Sequence, residues 1–336
     1  MTTNDDKAGR WCMKTSIATL IVALALSLSI PAGRSSAQTF PEPGKLITII
    51  VPYAPGGIVD TTARMMAAAL QDELHTSFVI MNRAGAASQV GLTELVRAQP
   101  DGYTLAYAVL PTTVTHYLDP TRSAIYTRQS FQPIATHHLA PMVLAVQANS
   151  PYRTLKDLVE AARKDPNLIK VSDSGLMGTP HLCAAVLGAV SGAQFLSVHF
   201  SGGAPSVTAL LGGQVDVLAG ATGDALPNLQ AGNFRVLGVA SNEPDPSMPD
   251  VPTMKSQGFD VVVESIPGIV APAGTPPAVV ERLTRAIKKV IESPEHQKKL
   301  KDLGITPHYL DPEAYSKLWI DNETRMKPVL EKLASH

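Results

Sequence analysis

The chain is poor in cysteine, aromatic residues and charge, and each shortage excludes a class of protein. Only Cys12 and Cys183 occur in 336 residues. A disulfide scaffold is therefore excluded, and once the segment holding Cys12 is removed no intramolecular disulfide can form. Stability must come from packing. Aromatics make up 5% and charged residues 17% of the chain, with a formal net charge of -1. With no Lys/Arg stripe interleaved with aromatics, a nucleic-acid partner is excluded. Lys298, Lys299 and Lys301 share a helical pattern with Glu292 and Glu295, which reads as a solvated face. Catalytic signatures are missing as well. No Gly-x-Ser-x-Gly elbow surrounds Ser172 or Ser174, no His-Glu-x-x-His occurs, and the Gly-rich loops lack the Lys-Ser/Thr of a phosphate loop. No catalytic residue, metal ligand or cofactor is expected; His137 and His138 are expected to point to opposite faces of a strand.

The one long apolar run lies at the start. Lys14 precedes the apolar residues 17–30, and Ser35-Ser36-Ala37 follows, the order of a secretory leader. Residues 1–37 are read as a cleaved signal peptide, with Met1 or Met13 as the start; the run is short for a bilayer anchor. Roughly 300 residues then remain, enough for two domains of ordinary size.

From Leu46 onward, short β-branched runs alternate with amphipathic stretches. Strands are expected at 47–51, 78–81, 104–109, 142–146, 170–172, 195–199, 215–219, 235–240 and 268–271. Helices are expected at 61–74, 91–98, 155–164, 180–190, 205–211, 279–292 and 294–303. The alternation predicts an α/β fold of mainly parallel sheets flanked by helices. Apolar passages near 130–141 and 264–273 suggest that the chain crosses twice between lobes, giving one lobe of 38–138 plus 264–336 and another of 139–263.

In such sheets, sites lie beyond the carboxyl ends of strands. Four loops fall there. Pro52-Tyr53-Ala54-Pro55-Gly56-Gly57-Ile58-Val59-Asp60 enters a helix whose first N–H groups lack intrahelical partners and attract anions. Ser174 to Gly178 leads into a second helix at Pro180, with Thr179 the expected cap and His181 one turn further. Phe200-Ser201-Gly202-Gly203-Ala204 repeats the layout, and Leu110-Pro111-Thr112 brings a hydroxyl to a fourth strand end. Together they form an oxyanion clamp of amides and hydroxyls without a fixed cation. The candidate ligand-binding residues are Tyr53, Pro55, Gly56, Gly57, Asp60, Leu110, Thr112, Ser174, Gly178, Thr179, His181, Phe200, Ser201, Gly202 and Ala204. Alternatives stay open at several. Asp60 reads either as a loop brace or as a ligand contact, His181 as structural or carboxylate-binding, Tyr53 and Phe200 as cleft wall or core. Arg83 reads as a brace outside the ligand shell.

Several segments, in order, resemble the Bug-type periplasmic receptors of tripartite tricarboxylate transporters. They are Val51-Pro52-Tyr53-Ala54-Pro55-Gly56-Gly57 with Asp60, Asn82-Arg83-Ala84-Gly85-Ala86, Asp101-Gly102-Tyr103-Thr104-Leu105, Gly178-Thr179-Pro180-His181-Leu182, Gly212-Gly213-Gln214-Val215-Asp216, Met248 to Thr253, and Ala271 to Pro276. The resemblance implies a Venus-flytrap, type II-like pair of lobes, a monomer in the periplasm, closing on a small organic carboxylate. The implied partners are integral-membrane transporter subunits; a membrane sensor kinase is the alternative, and a secreted hydrolase a more distant one. Two positions depart from the family pattern. Ser201 stands where a Lys is usual, and Ile266-Pro267 where Trp and Tyr are frequent.

Overall fold

The computed structural model describes residues 40–334. The expected signal peptide lies outside the described residues. Residues 43 onward form one compact unit, whose fold follows.

The elements, in chain order, are β1 (Ile47–Val51), α1 (Ile58–Leu74), β2 (Phe78–Asn82), α2 (Gln89–Val96), β3 (Thr104–Leu110), α3 (Thr112–Leu118), β4 (Phe131–Thr136), β5 (His138–Gln147), α4 (Leu155–Lys164), β6 (Lys170–Asp173) and α5 (Thr179–Ser191). They continue with β7 (Leu196–His199), α6 (Gly203–Leu211), β8 (Val217–Ala221), α7 (Thr222–Gln230), β9 (Phe234–Val239), β10 (Glu264–Pro272), α8 (Pro277–Glu292), α9 (Pro294–Asp302), β11 (Thr306–Pro307) and α10 (Pro312–Ala334).

Two parallel blocks stand at the ends of the strand order β2-β1-β3-β10-β5-β8-β6-β7. In the first, β1 pairs in parallel with β2 and β3; in the second, β6 pairs in parallel with β7 and β8. The long strands β10 and β5 run antiparallel to their neighbours, so the sheet is mixed rather than mainly parallel. A short ladder, Glu264↔Pro141 and Ser265↔Ala140, ties β10 to β5. These are the two apolar passages that the sequence marks as crossings.

The inner strands are buried because apolar residues cover both faces, as in β1, where the neighbours Ile49 and Ile50 point to opposite faces and are both buried, while the edge strands β2 and β7 stay partly exposed. The helices present one apolar stripe, as in α8, where Val279, Leu283, Ala286, Ile287 and Val290 face inward. Helix α10 closes the first block: Trp319 stacks on Phe131 of β4 with ring centroids 5.3 Å apart. Tyr315 lies where a Cβ on Gly268 would come within 2.6 Å of its ring, which is why β10 carries glycine there.

Several elements depart from expectation. Helices α3 and α7 start where Thr clusters and an internal Pro227 mask helical periodicity, and β4 carries Pro133 beside a bulge. Thr179 does not cap α5. Gly178 holds the cap position in extended backbone and Thr179 is the first helical residue, because its hydroxyl is engaged by Thr112 instead. His137 and His138 do not point apart either. The chain breaks between β4 and β5 at His137, and the two rings meet edge to face at 4.9 Å.

Candidate functional site

The loop between β1 and α1 is shaped by two glycines with different roles. Gly56 adopts φ +87°, a conformation that side chains resist. Gly57 caps α1 in extended backbone, with no side chain answering the first helical amides. A Cβ on Gly57 would stand 3.3 Å from the Ala204 amide nitrogen and 3.4 Å from that of Gly203, so it is close approach rather than φ that demands glycine here.

Asp60 fixes this loop from within. Its carboxylate accepts the Gly56 N–H at 3.0 Å, the Arg64 guanidinium through two bonds of 3.0 and 2.9 Å, and the Asn82 amide at 2.8 Å. Burial pushes its pKa up, but Arg64, the Gly56 amide and Asn82 together outweigh burial and hold the group below the usual carboxylate value.

Three more strand-to-helix turns face this loop. At the start of α5 the Thr179 N–H donates to Thr112 Oγ1 at 2.8 Å, and the two threonine hydroxyls lie 2.7 Å apart. At the start of α6 the Ser201 carbonyl accepts the Ala54 N–H at 2.9 Å, and Gly202 sits with its Cα against Ala54 and Tyr53. At the start of α7 the Asp224 carboxylate accepts the Ile58 N–H of α1 at 3.0 Å and the Ala221 amide, while burial raises its pKa to about 6. These contacts draw the turns together around a cavity with about 40 Å³ of water-accessible volume. That is room for about three waters and too little for a four-carbon acid.

Of the residues singled out from sequence, Tyr53, Gly57, Asp60, Thr112, Ser174 and Thr179 line this cavity. Tyr53 is buried, which pushes its phenol up to about 12. Pro55 and Gly56 are exposed beside it, and Ala204 packs against Gly56 and Gly57. Leu110 is buried in the core with Val114 of α3. Gly178 is the α5 cap, Ser201 is exposed, and Phe200 packs on the core of the second block. Arg83 pairs with Glu94 at 2.8 Å.

His181 lies apart from the cavity lining. Its Nδ1 accepts the Met177 N–H at 3.1 Å, and burial lowers its pKa. Asp173, His181 and His199 bring ligating atoms within 4.8 Å of one another, the geometry of a possible metal cluster among the described residues. Each has other employment. The Asp173 carboxylate is shared between His199 Nδ1 at 2.8 Å and the Gly175 N–H at 2.8 Å, and neutral His181 carries its proton on Nε2 because Nδ1 is accepting. His199 and Asp173 are joined by a hydrogen bond, while His181 meets His199 edge to face and is tied to its own turn through Met177.

Sequence reasoning missed Ile58, Met142, Gly203, Ser206, Ser265 and, above all, Asp224. Ala221-Thr222-Gly223-Asp224 repeats the strand-end, small-residue, helix-start layout of the other turns; the expected strand at 215–219 stopped short of it.

An α/β fold with mixed, curled sheet and several helix starts around one cleft is that of the periplasmic binding proteins. The chain belongs to the tripartite tricarboxylate transporter receptor family, whose profile matches residues 62–334. An uncharacterised-family protein from the tcbD-tcbE intergenic region of Pseudomonas sp. (strain P51) is 31% identical over 92% of this chain and 93% of its own. MatC from Rhodopseudomonas palustris, solved with bound malate, superposes with a TM-score of 0.80 at 28% identity, covering 86% of this chain and 99% of MatC. Another R. palustris protein, solved with adipate, superposes at 0.81 with 26% identity, covering 87% of this chain and 98% of that one. Among the described residues no helix is long and apolar enough to cross a membrane.

Proposed function

We propose that this protein is a periplasmic receptor that captures a small organic carboxylate in the cleft between two lobes and delivers it to an integral-membrane transporter of the tripartite tricarboxylate type. The lobes are residues 38–138 with 264–336, and 139–263; the protein acts without catalysis and without a cofactor. One observation carries the reading: helix-start amides converge on a cavity lined by hydroxyls, and in the closed form the protein's own oxygens answer them. Ile58 N–H is held by Asp224 and Thr179 N–H by Thr112, each pair joining the two proposed lobes. Opening parts these pairs, and as the cleft closes again the ligand's carboxylate takes the Thr179 amide in place of the Thr112 hydroxyl. Hydrogen bonds from amides to a charged group contribute about 1.5–3 kcal/mol each, enough for tight capture by a few of them. The malate and adipate complexes of its relatives support the ligand class.

A thermal-shift panel of mono-, di- and tricarboxylates, aromatic ones included, tests this. A ligand at 100 times its dissociation constant is expected to add about 2.7 kcal/mol of stability. A panel without a single stabilising carboxylate contradicts the reading. Within the site, Ser174→Ala is expected to cost at most one hydrogen bond, about 0.5–1.5 kcal/mol of binding by titration calorimetry. Loss of binding altogether contradicts the minor role given to Ser174, and chemical conversion of the bound ligand contradicts a receptor.

A further inference from the structure

The cavity lining carries two carboxylates and no Lys or Arg. The two are not equivalent. Asp60 is matched by the Arg64 guanidinium, its salt bridge 2.9 Å long. Asp224 is half-buried and has only backbone partners, the amides of Ile58 and Ala221, which are dipoles rather than charges. A carboxylate offers about four acceptor positions, so two N–H bonds leave about half of its capacity unused at the cavity wall. Its surroundings are tight on the other side: a Cβ on Gly203 would meet both Asp224 oxygens within 2.5 Å, so the carboxylate cannot swing toward α6.

A plain dicarboxylate enclosed here sets further negative charge against Asp224 with no cation in the lining. At an effective dielectric of about 20 a second charge at about 5 Å is strongly repelled, and Asp224, already raised to about 6, escapes only by taking up a proton, so that affinity at pH 7 falls by about tenfold. A ligand that brings its own positive group turns that penalty into an ion pair in a water-poor cleft. We propose that Asp224 is the counter-ion for a protonated nitrogen on the ligand, so that this receptor selects carboxylates that also carry an amine. The inference rests on the reading of the cleft as a carboxylate site. The ligand's carboxylate takes the amide of Thr179 once Thr112 releases it, and the ammonium takes the open positions of Asp224. The Ser265 hydroxyl, also in the lining, is an available acceptor for one of the remaining ammonium protons.

Matched pairs that differ only by the amine test this in titration calorimetry: aspartate against succinate, glutamate against glutarate, 4-aminobutyrate against butyrate. The amine-bearing member of at least one pair is expected to bind at least tenfold tighter to the natural protein. Asp224→Asn, which keeps an oxygen for the Ile58 amide, is expected to shrink that preference to about threefold or less while plain carboxylates bind as well or better. Plain acids binding more tightly than their amino partners in the natural protein overturns the proposal and leaves the carboxylate receptor standing. So does an amine preference that survives Asp224→Asn in a variant whose thermal unfolding matches that of the natural protein. Absence of binding by every member of every pair, together with a blank carboxylate panel, overturns the receptor reading and this inference with it.

Discussion

Lowering the pH from 7 to 5 is expected to destabilise the folded protein by about 4 kcal/mol, a large share of the roughly 5–15 kcal/mol that holds a typical domain together. The cause is buried neutral imidazole. His116 lies between the Tyr126 hydroxyl at 2.6 Å and the Ala87 carbonyl at 2.9 Å, and burial, with Arg122 nearby, lowers its pKa to about 3. His138 has no protein partner for either ring nitrogen; burial, with His296 and His308 nearby, lowers it to about 3 as well. Both folded values lie below the unfolded one, so below about pH 6.5 the unfolded chain takes protons that the folded protein refuses. Stability therefore falls as the pH drops from about 6.5 toward 3, by about 2 kcal/mol per group at pH 5. His137 moves the same way. It is held between the Tyr107 hydroxyl and His296 Nε2, 2.8 Å away, where only one proton fits between the facing nitrogens. His199, raised by its bond to Asp173, and Asp224, raised by burial, have the opposite sign and offset part of the loss. Urea unfolding at pH 7, 6 and 5 measures the effect, and His138→Leu is expected to flatten the slope by one group. A midpoint that does not move across this range contradicts the burial assigned to these histidines.

Replacing Gly57 by Val is expected to weaken carboxylate binding by a hundredfold or more while costing about 1 kcal/mol or less of folding stability. Gly57 has φ -78°, open to any residue, so the substitution leaves the turn unstrained and loses only the modest preference for glycine at a helix cap. Its effect falls on closure. A Cβ already stands 3.3 Å from the Ala204 nitrogen, and the branch atoms of valine meet backbone at the start of α6, which cannot rotate away as a side chain would. The closed state is penalised and the open one is not, so ligand affinity drops by the fraction of the population able to close. Calorimetry and denaturant unfolding on the same sample separate the two. Binding within threefold of the natural protein contradicts a closed cleft built on contact between Gly57 and α6.

Much of this was legible from local sequence. The strand and helix alternation follows from β-branched runs and periodic apolar residues, and the β1–α1 turn from Pro52, Pro55, Gly56 and Gly57. What was not legible depends on contacts between distant segments. Nothing near Thr179 in sequence shows that Thr112, 67 positions away, occupies its amide. Asp224 reads as an ordinary first-turn acid until the fold sets it, 166 positions away, on the Ile58 amide. The Asp60 bond to the Gly56 amide, four residues back, is by contrast local, and the loop brace was one of the readings the sequence offered for Asp60. The antiparallel strands β4 and β11 escaped because a proline interrupts one and the other is two residues long.

A crystal structure of the protein with the tightest carboxylate from the panel tests the central claim most directly. The account predicts the ligand enclosed between the turns that start α1, α5, α6 and α7, with carboxylate oxygens on the Thr179 amide in place of Thr112 Oγ1. A carboxylate bound elsewhere on the surface, with the Thr112–Thr179 contact intact, contradicts it.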